Sequence, residues 1–428
     1  MRNFAARKKK LNLIILRARA STNMKQLWNN YKSTIILLLG VSLGGVIGGL
    51  IPASAAYLKP IGDIFMNILF VLIVPMVLFS VASSICNLSE QRLLGKTLLS
   101  VIGVMLVMLL LGGLLTFAGM RIYSPVSEEL LGSVSSVRQE QQSVSQLFVD
   151  AVSVPDFGML FSTSHILPLM VIALLLGYAA SKLTNKGVSR FLEQGAAVVM
   201  QMMDGLMFFA PIGLGCYFAG VMADGSGAML AGYGRFMLLY VVLSLIVYLL
   251  ILPLMSLFSV GGKGMKQYIK AILPPSLMAI STLSSSATMP VNIRSSQHLG
   301  VQPAMAESIV PLGTQLFKMG SFIGCVMKTA FVMLLMGQDL FTAENFVVLM
   351  GISILSSVVV GAVPVGAGSG ELLICSILGA DPSVVGVLIV LSTIIDMPAT
   401  LLNATGNTIL PAAIERLTYK RPQAETTA

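Results

Sequence analysis

Two polar residues in the apolar stretch "IDMPATLLNATGN" carry the plainest chemistry in this sequence. Asp396 and Asn403 lie seven residues apart, almost two turns of an α-helix, so their side chains share one helix face. A carboxylate inside an apolar helix is costly, and Asp396 has no basic residue nearby in the sequence. Such a carboxylate indicates a functional site, unless it is hydrogen-bonded to neighbouring backbone and serves structure alone.

Charges of both signs occur in other apolar segments. Lys318 lies in "PLGTQLFKMGSF", where an ammonium group is equally expensive. Glu371 is interpreted either as a proton carrier or as half of a structural ion pair. Lys328 is expected to face a polar cavity or to extend its ammonium to water. Asp204 has no assigned role.

The composition identifies a membrane protein. Of 428 residues, 56% are hydrophobic and 11% are charged, whereas soluble domains carry about 25% charged residues. No P-loop, kinase signature or catalytic triad occurs, so an enzyme or an ATP-driven pump has no support. The cysteines and histidines lack ligand spacing, so neither a metal site nor a cofactor is predicted.

Six apolar segments are long enough to span a bilayer, namely 34–57, 60–85, 95–121, 164–181, 189–222 and 232–258. They follow a basic tail, residues 1–33, which holds nine Lys and Arg and no acid. The positive-inside rule places this tail in the cytoplasm. Its positive charge is thereby explained without a role in binding nucleic acid. "SPVSEELLGSVSSVRQEQQSVSQ" suits an external loop. The basic C-terminal tail, 418–428, also suits the cytoplasm, and we expect a plasma-membrane protein, in a bacterial inner membrane.

The pattern changes between residues 259 and 417. "SLMAISTLSSSATMPVNI" and "SILSSVVVGAVPVGAGSGELLICSIL" are apolar but interrupted by Ser, Gly and Pro, which is typical of re-entrant hairpins. Each precedes a long apolar segment that is itself interrupted, 304–336 by "FKMGS" and 382–417 by "DMPATLLNATGN". A hairpin followed by a broken helix, twice over, predicts an inverted repeat with a binding site at the membrane midplane. This favours a secondary transporter, although channels also use re-entrant loops.

Taken in order, these motifs resemble the dicarboxylate/amino acid:cation symporters, the family that includes the glutamate transporters. "SSSATMPVNI" is similar to the tip of the family's first hairpin, and "PLG" leads into a segment similar to its broken seventh helix. "VPVGAG" is similar to the second hairpin tip, and "IDMPATLLNATGN" to the substrate motif of the eighth helix. The resemblance covers nearly the whole chain after the basic tail.

The resemblance implies an all-α polytopic membrane protein with eight transmembrane helices, two re-entrant helical hairpins and inverted repeats. It implies a homotrimer in which a transport domain slides against a fixed scaffold, an elevator movement with the second hairpin as extracellular gate. Residues 34–258 would form the trimerisation scaffold and part of the transport domain. Residues 259–417 would form the transport core.

The resemblance also implies substrate contacts. The family's counterpart of Asp396 binds the substrate's α-amino group, and the counterpart of Asn403 its carboxylate. The other expected contacts are Ser284, Ser285, Ser286, Val363, Pro364, Gly366 and Thr400. A simple turn explains the serines nearly as well, and a polar core residue is the alternative for Asn403.

One departure from the family concerns the substrate. Acidic-substrate members carry an arginine three residues after the aspartate, where this chain has Ala399. Without that guanidinium, a buried substrate carboxylate loses its main partner, a penalty on the order of several kcal/mol. We therefore expect a neutral amino acid as substrate.

A second departure concerns the coupling ion. Met319 and Asn407 stand where sodium-coupled members carry aspartates, and "VIGVMLVMLLLGGLL" in the third helix has no hydroxyl. Sodium prefers oxygen ligands, so sodium coupling of the usual kind is expected to be lost, and a proton is favoured over sodium as the coupling cation. The candidate coupling residues are Lys318, Met319, Gly320, Asn407 and Glu371.

Lys318 has three interpretations. It can reach water or pair with an acid such as Glu371. Its ammonium can instead be a tethered substitute for sodium that holds the broken helix and Asn407 together. In the third interpretation it titrates and couples proton movement to transport.

The sequence thus predicts a secondary active transporter that is not an enzyme. The alternatives are a symporter with atypical ion sites, an uncoupled exchanger or facilitator, and a substrate sensor or anion channel on the same scaffold. The expected partners are an amino-acid-like substrate, a coupling cation, the bilayer and further copies of the chain, with no nucleic acid.

Overall fold

The computed structural model describes residues 35–90, 95–126, 153–162, 165–261, 264–362, 368–381 and 383–418. Residues 1–33 and 419–428 of the basic tails, most of the predicted external loop, and all of the predicted second hairpin tip except Gly368 lie outside these residues. Val363, Pro364 and Gly366 belong to that tip.

Helices make up most of the described chain. They are α1 (Ile35–Leu50), α2 (Pro52–Glu90), α3 (Gly95–Ile122), α4 (Ile166–Lys182), α5 (Gly187–Phe208), α6 (Ala210–Ile246), α7 (Leu252–Val260), α8 (Gly264–Thr282), α9 (Ser285–His298), α10 (Pro303–Leu316), α11 (Met319–Leu335), α12 (Ala343–Ala362), α13 (Ser369–Leu378) and α14 (Ser383–Thr418). A 3₁₀ turn, Phe157–Phe161, precedes α4, and a π turn, Val247–Ile251, joins α6 to α7. No strand occurs in these described ranges, so the predicted all-α class is confirmed.

Several helices are long and apolar enough to cross a membrane. Among the described residues there are five, or six if the bent pair α5 and the first part of α6 counts as one span. The multi-pass architecture is thus confirmed. The number of eight spanning helices stays a prediction.

Three predicted boundaries in the first half are wrong. The first two helices meet at Ile51 and not near residue 58, because Pro52 begins α2, where its missing N–H is no loss. The predicted span 189–222 bends by 63° at Phe209, where Pro211 opens the next helix. Helix α6 then runs without interruption across the predicted connection 223–231.

The two predicted broken helices differ from each other. The chain leaves the helix at Phe317 and Lys318, between α10 and α11, inside the predicted "FKMGS" interruption. In contrast, α14 continues through "DMPATLLNATGN", so the predicted break there is wrong. Pro398 removes one backbone hydrogen bond, and a helix packed on most sides tolerates that loss.

Two helix pairs have the form of hairpins. α8 packs along α9 across a turn at Leu283 and Ser284, where Leu283 takes a positive φ of 50°. α12 also packs along α13. Helix α14 lies at the centre, against α3, α6 to α11 and α13, whereas α2 packs against α4, α5 and α6.

Helices α1 and α6 touch through their backbones. Gly40, Gly44 and Gly48 are spaced four residues apart on one face of α1. A side chain at Gly44 would collide with the carbonyl of Gly215, and one at Gly48 with that of Ala219. Small residues at this spacing allow two membrane helices to approach closely.

We expect Gly44→Val to destabilise the protein, because the added methyl groups must force α1 away from α6. Overpacking of this kind costs about 1–3 kcal/mol, which a thermal unfolding curve of the purified protein in detergent will detect. Gly49→Val is the matched control, since a Cβ at Gly49 meets nothing within 4 Å. Equal unfolding temperatures for the two variants would contradict this packing.

Candidate functional site

The N-terminus of α11 is held by one side chain of α14. Asn403 accepts hydrogen bonds from the backbone N–H groups of Gly320 at 2.9 Å and Ser321 at 3.3 Å. Its amide nitrogen donates to Ser321 Oγ at 3.0 Å. The first N–H groups of a helix have no partner inside the helix. Asn403 supplies one, and so fixes the broken helix against α14.

The two helices touch directly at this point. A Cβ on Gly320 would collide with the carbonyl of Ala399, and one on Gly324 would lie 2.7 Å from Ile395 Cδ1. The Tyr240 hydroxyl of α6 donates to the Gly320 carbonyl at 2.9 Å. Because residue numbers rise along α11 as they fall along α14, the helices run antiparallel.

The candidate substrate residues of α14 follow one face. Asp396 is exposed, whereas Thr400 and Asn403 are buried. Thr400 Oγ1 lies 3.5 Å from Asp396 Oδ1. Within the described part of the chain no ion pair is formed by Asp396. A carboxylate in this state can receive a cationic group of a ligand.

Lys318 lies at the break itself and is partly buried. Its ammonium makes no hydrogen bond or ion pair to the residues that the structure describes. It is near enough to Asp396 for the two charges to attract each other. The predicted pairing of Lys318 with Glu371 is wrong, because another lysine occupies that carboxylate.

That lysine is Lys328, which is buried and forms an ion pair with Glu371. Ser392 Oγ donates to the same Glu371 oxygen, and Lys328 Nζ lies 2.6 Å from Ser392 Oγ. The second Glu371 oxygen accepts the Gly368 N–H at 2.9 Å. The expectation that Lys328 reaches water is therefore wrong, and Glu371 forms an ion pair, as one of its two interpretations predicted. The proton-carrier interpretation stays a prediction.

The candidate cation positions are mostly apolar. Met319 is fully buried, and its thioether methyl lies 3.3 Å from where a Cβ of Gly112 in α3 would stand. Asn407 donates to the Asn403 carbonyl at 2.9 Å, and its own oxygen is buried beside Gly313 without a partner among the described residues. In the same part of the chain, no group of three or more His, Cys, Asp or Glu could hold a metal.

The serines of the first hairpin have a local explanation. Ser284 caps α9 by accepting the Ala287 N–H at 3.2 Å, Ser285 is buried and Ser286 is exposed. The structure records no hydrogen bond from these three to Asp396 or Asn403. Their substrate role stays a prediction.

Sequence reasoning missed two residues of the site. Tyr240 supports the break from α6, and Ser392 joins the buried ion pair. Ser392 lies four residues before Asp396, on the same helix face, and that spacing was a usable signal. No pattern in the sequence indicates that Tyr240 contacts the break.

Comparison with known proteins places this architecture in a family. Residues 34–417 match the profile of the sodium:dicarboxylate symporter family. The chain belongs to that family. The predicted resemblance is confirmed, and with it the interpretation as a transporter and not an enzyme.

Two relatives show how far the family similarity extends. The "Proton/sodium-glutamate symport protein" of Bacillus caldotenax is 23% identical over 404 residues, which are 90% of this chain and 93% of the relative. The "C4-dicarboxylate transport protein" of Erwinia tasmaniensis is 22% identical over 307 residues, 69% of this chain and 72% of the relative.

We expect Asn403→Ala to destabilise the protein without substrate, because the N–H groups of Gly320 and Ser321 lose their acceptor. Leaving a buried N–H unsatisfied costs about 1–3 kcal/mol. Thermal unfolding in detergent measures the loss. Asn345→Ala is the control, since Asn345 lies at an exposed site in α12 and bonds the carbonyl of Asp339. A shift no larger than that of the control would contradict the role of Asn403 in holding the break.

Proposed function

We propose that this chain is a secondary transporter that moves a neutral amino acid across the plasma membrane. The observation that carries the proposal is the exposed Asp396 on the same helix face as Asn403. A carboxylate suits the amine of an amino acid. The Asn403 amide gives one of its two N–H groups to Ser321 Oγ, and the other suits the carboxylate of the substrate. Members of the family move small molecules through the bilayer, which agrees with this use of the site.

The neutral character of the substrate rests on Ala399. The family resemblance implies an arginine here in members that carry acidic substrates. Ala399 is buried, and its carbonyl lies against Gly320. Position 399 therefore places no guanidinium beside Asp396, and a second substrate carboxylate would be desolvated without a bidentate partner there.

Acidic substrates are the second candidate, and one observation favours them. The relatives' names specify glutamate and C4-dicarboxylates, and the Lys318 ammonium has no hydrogen-bond partner among the described residues. An ammonium at the break can accept a carboxylate, although without the fork geometry of arginine.

The coupling ion follows from the groups at the break. We infer that sodium coupling of the usual kind is lost, since Met319 offers a thioether and Asn407 one oxygen, which has no partner in the described part of the chain. Lys318 then supplies a positive charge at the break, either as a tethered cation or by exchanging a proton. An uncoupled exchanger or facilitator is the alternative, because the usual cation sites are missing.

The movement and assembly follow from the family resemblance. We propose an elevator mechanism in a homotrimer, with both chain ends in the cytoplasm. The grouping of helices agrees with this proposal, because α14 and the two hairpin-like pairs pack together while α2 packs mainly against α4, α5 and α6.

Uptake into proteoliposomes tests the substrate. We expect neutral amino acids to compete for uptake, and glutamate, aspartate and C4-dicarboxylates to compete at least tenfold less well. Asp396→Asn should abolish uptake, because the substrate's ammonium loses its counter-charge. Inhibition by dicarboxylates that lack an amine, undiminished in Asp396→Asn, would refute the role given to Asp396 and favour the second candidate.

Lys318→Met tests the coupling. We expect the variant to lose transport or to change its dependence on imposed proton and sodium gradients, because the charge at the break disappears. Lys270→Met makes the same chemical change at an exposed position of α8 and should behave as wild type. Unchanged rates and ion dependence in Lys318→Met would exclude both coupling roles of Lys318.

A further inference from the structure

The buried ion pair between Lys328 and Glu371 lies outside the substrate contacts. Both side chains are almost inaccessible, with 5% and 1% of their surface exposed. Three helices meet there, since Lys328 lies on α11, Glu371 on α13 and Ser392 on α14. A charged pair at this depth is costly to bury, and inside a membrane protein it usually marks a functional position.

The pair is close to the site. Along α11 and α14 the contacts proceed from Gly320 beside Ala399, to Gly324 beside Ile395, to Lys328 beside Ser392. Asp396 is one helical turn, about 6 Å, from Ser392 on the same face. The positive charge of Lys328 is thus held one turn away from the carboxylate that we assign to the substrate's amine.

The coordination of the Glu371 carboxylate is nearly complete. One oxygen accepts from Lys328 and Ser392, and the other from the Gly368 N–H. Leu69 and Ile73 of α2 close the space beside Gly368. Without Lys328, this carboxylate would keep two neutral donors and no counter-charge.

We propose that the Lys328 ammonium is a monovalent cation that permanently takes the place of a proton at Glu371. The proton site itself consists of the Glu371 carboxylate together with Ser392 and the Gly368 N–H. Glu371 then carries no proton during transport. A variant without the lysine has no counter-charge for Glu371. Such a variant must take up a proton from solution to neutralise this carboxylate. The inference rests on the proposed function only for its consequence in transport.

Two titratable groups interact with the pair directly, the thiols of Cys325 on α11 and Cys375 on α13. Further from the pair lie Tyr240 on α6, Asp381 after α13, and Asp396 and Lys318 at the site. α4 also contacts α13, but its only titratable residues are the exposed Tyr178 and the terminal Lys182. These groups are the same in wild type and in the variants below, so a comparison between the proteins isolates the pair.

Thermal unfolding of purified protein from pH 5.5 to 8.5 tests the proposal without any substrate. We expect Lys328→Met to unfold several degrees below wild type at pH 8.5 and to recover as the pH falls. The sign follows because the folded variant binds a proton at Glu371 that the unfolded chain does not bind, so acid stabilises it. Lys328→Met/Glu371→Gln should remove this pH dependence. Lys270→Met is the control for the lysine change.

Glu371→Gln provides the opposite signature. It leaves the Lys328 ammonium buried without a counter-charge, so its unfolding temperature should rise relative to wild type as the pH rises. If Lys328→Met does not fold, the pH dependence of Glu371→Gln tests the proposal instead. A pH response equal to wild type in every single variant that folds, or a double variant as pH-dependent as Lys328→Met, would overturn the proposal.

Uptake supplies a second readout. In Lys328→Met we expect transport to acquire an acid dependence, up to about tenfold per pH unit for one required proton, which the double variant lacks. Wild-type unfolding behaviour in Lys328→Met counts against the ion-pair proposal alone. A failure of all variants and wild type to transport amino acids counts against the proposed function alone.

Discussion

The contact between α11 and α14 is the constraint on which the site depends. The helix is interrupted at Phe317 and Lys318, and this leaves backbone N–H groups without an intrahelical partner. The hydrocarbon of a membrane offers them none. Asn403 satisfies two of them, and the absence of a side chain at Gly320 lets the helices approach closely enough for that bond. The same contact aligns Asp396 with the break, so one amide determines both the stability of the interruption and the position of the candidate substrate carboxylate.

The two lysines of this region show how differently a membrane protein can treat the same charge. Lys328 contacts Glu371 and Ser392, and the cost of burying its charge is offset by the counter-charge of Glu371. Lys318 lies ten residues earlier and is partly buried. Among the described residues it has only the attraction of Asp396. A charge without fixed partners is free to respond to a ligand, whereas a neutralised pair is not. This contrast is why we assign coupling to the first position and permanent compensation to the second.

Local patterns made much of this arrangement predictable. The break at "FKMGS" and the shared face of Asp396 and Asn403 follow from glycine placement and helical periodicity, which are properties of neighbouring residues. The pairing of Lys328 with Glu371 joins positions 43 residues apart and depends on how three helices pack, which one sequence does not reveal. The continuity of α14 through Pro398 has the same origin, since surrounding helices hold it where the proline alone predicts a break. The bend at Phe209 fell inside an uninterrupted apolar run, so hydropathy alone did not mark it.

Helix α6 has a mechanical consequence for any large movement of the site. Ala219 in its first half lies against the backbone of α1, and Tyr240 in its second half is bonded to the Gly320 carbonyl. These two anchor points are about 31 Å apart along a single helix. If the site slides relative to α1 as an elevator requires, the two anchors separate, and α6 must flex or unwind between them. The energy needed to deform α6 would then be the minimum height of the energy barrier to each movement of the site across the membrane.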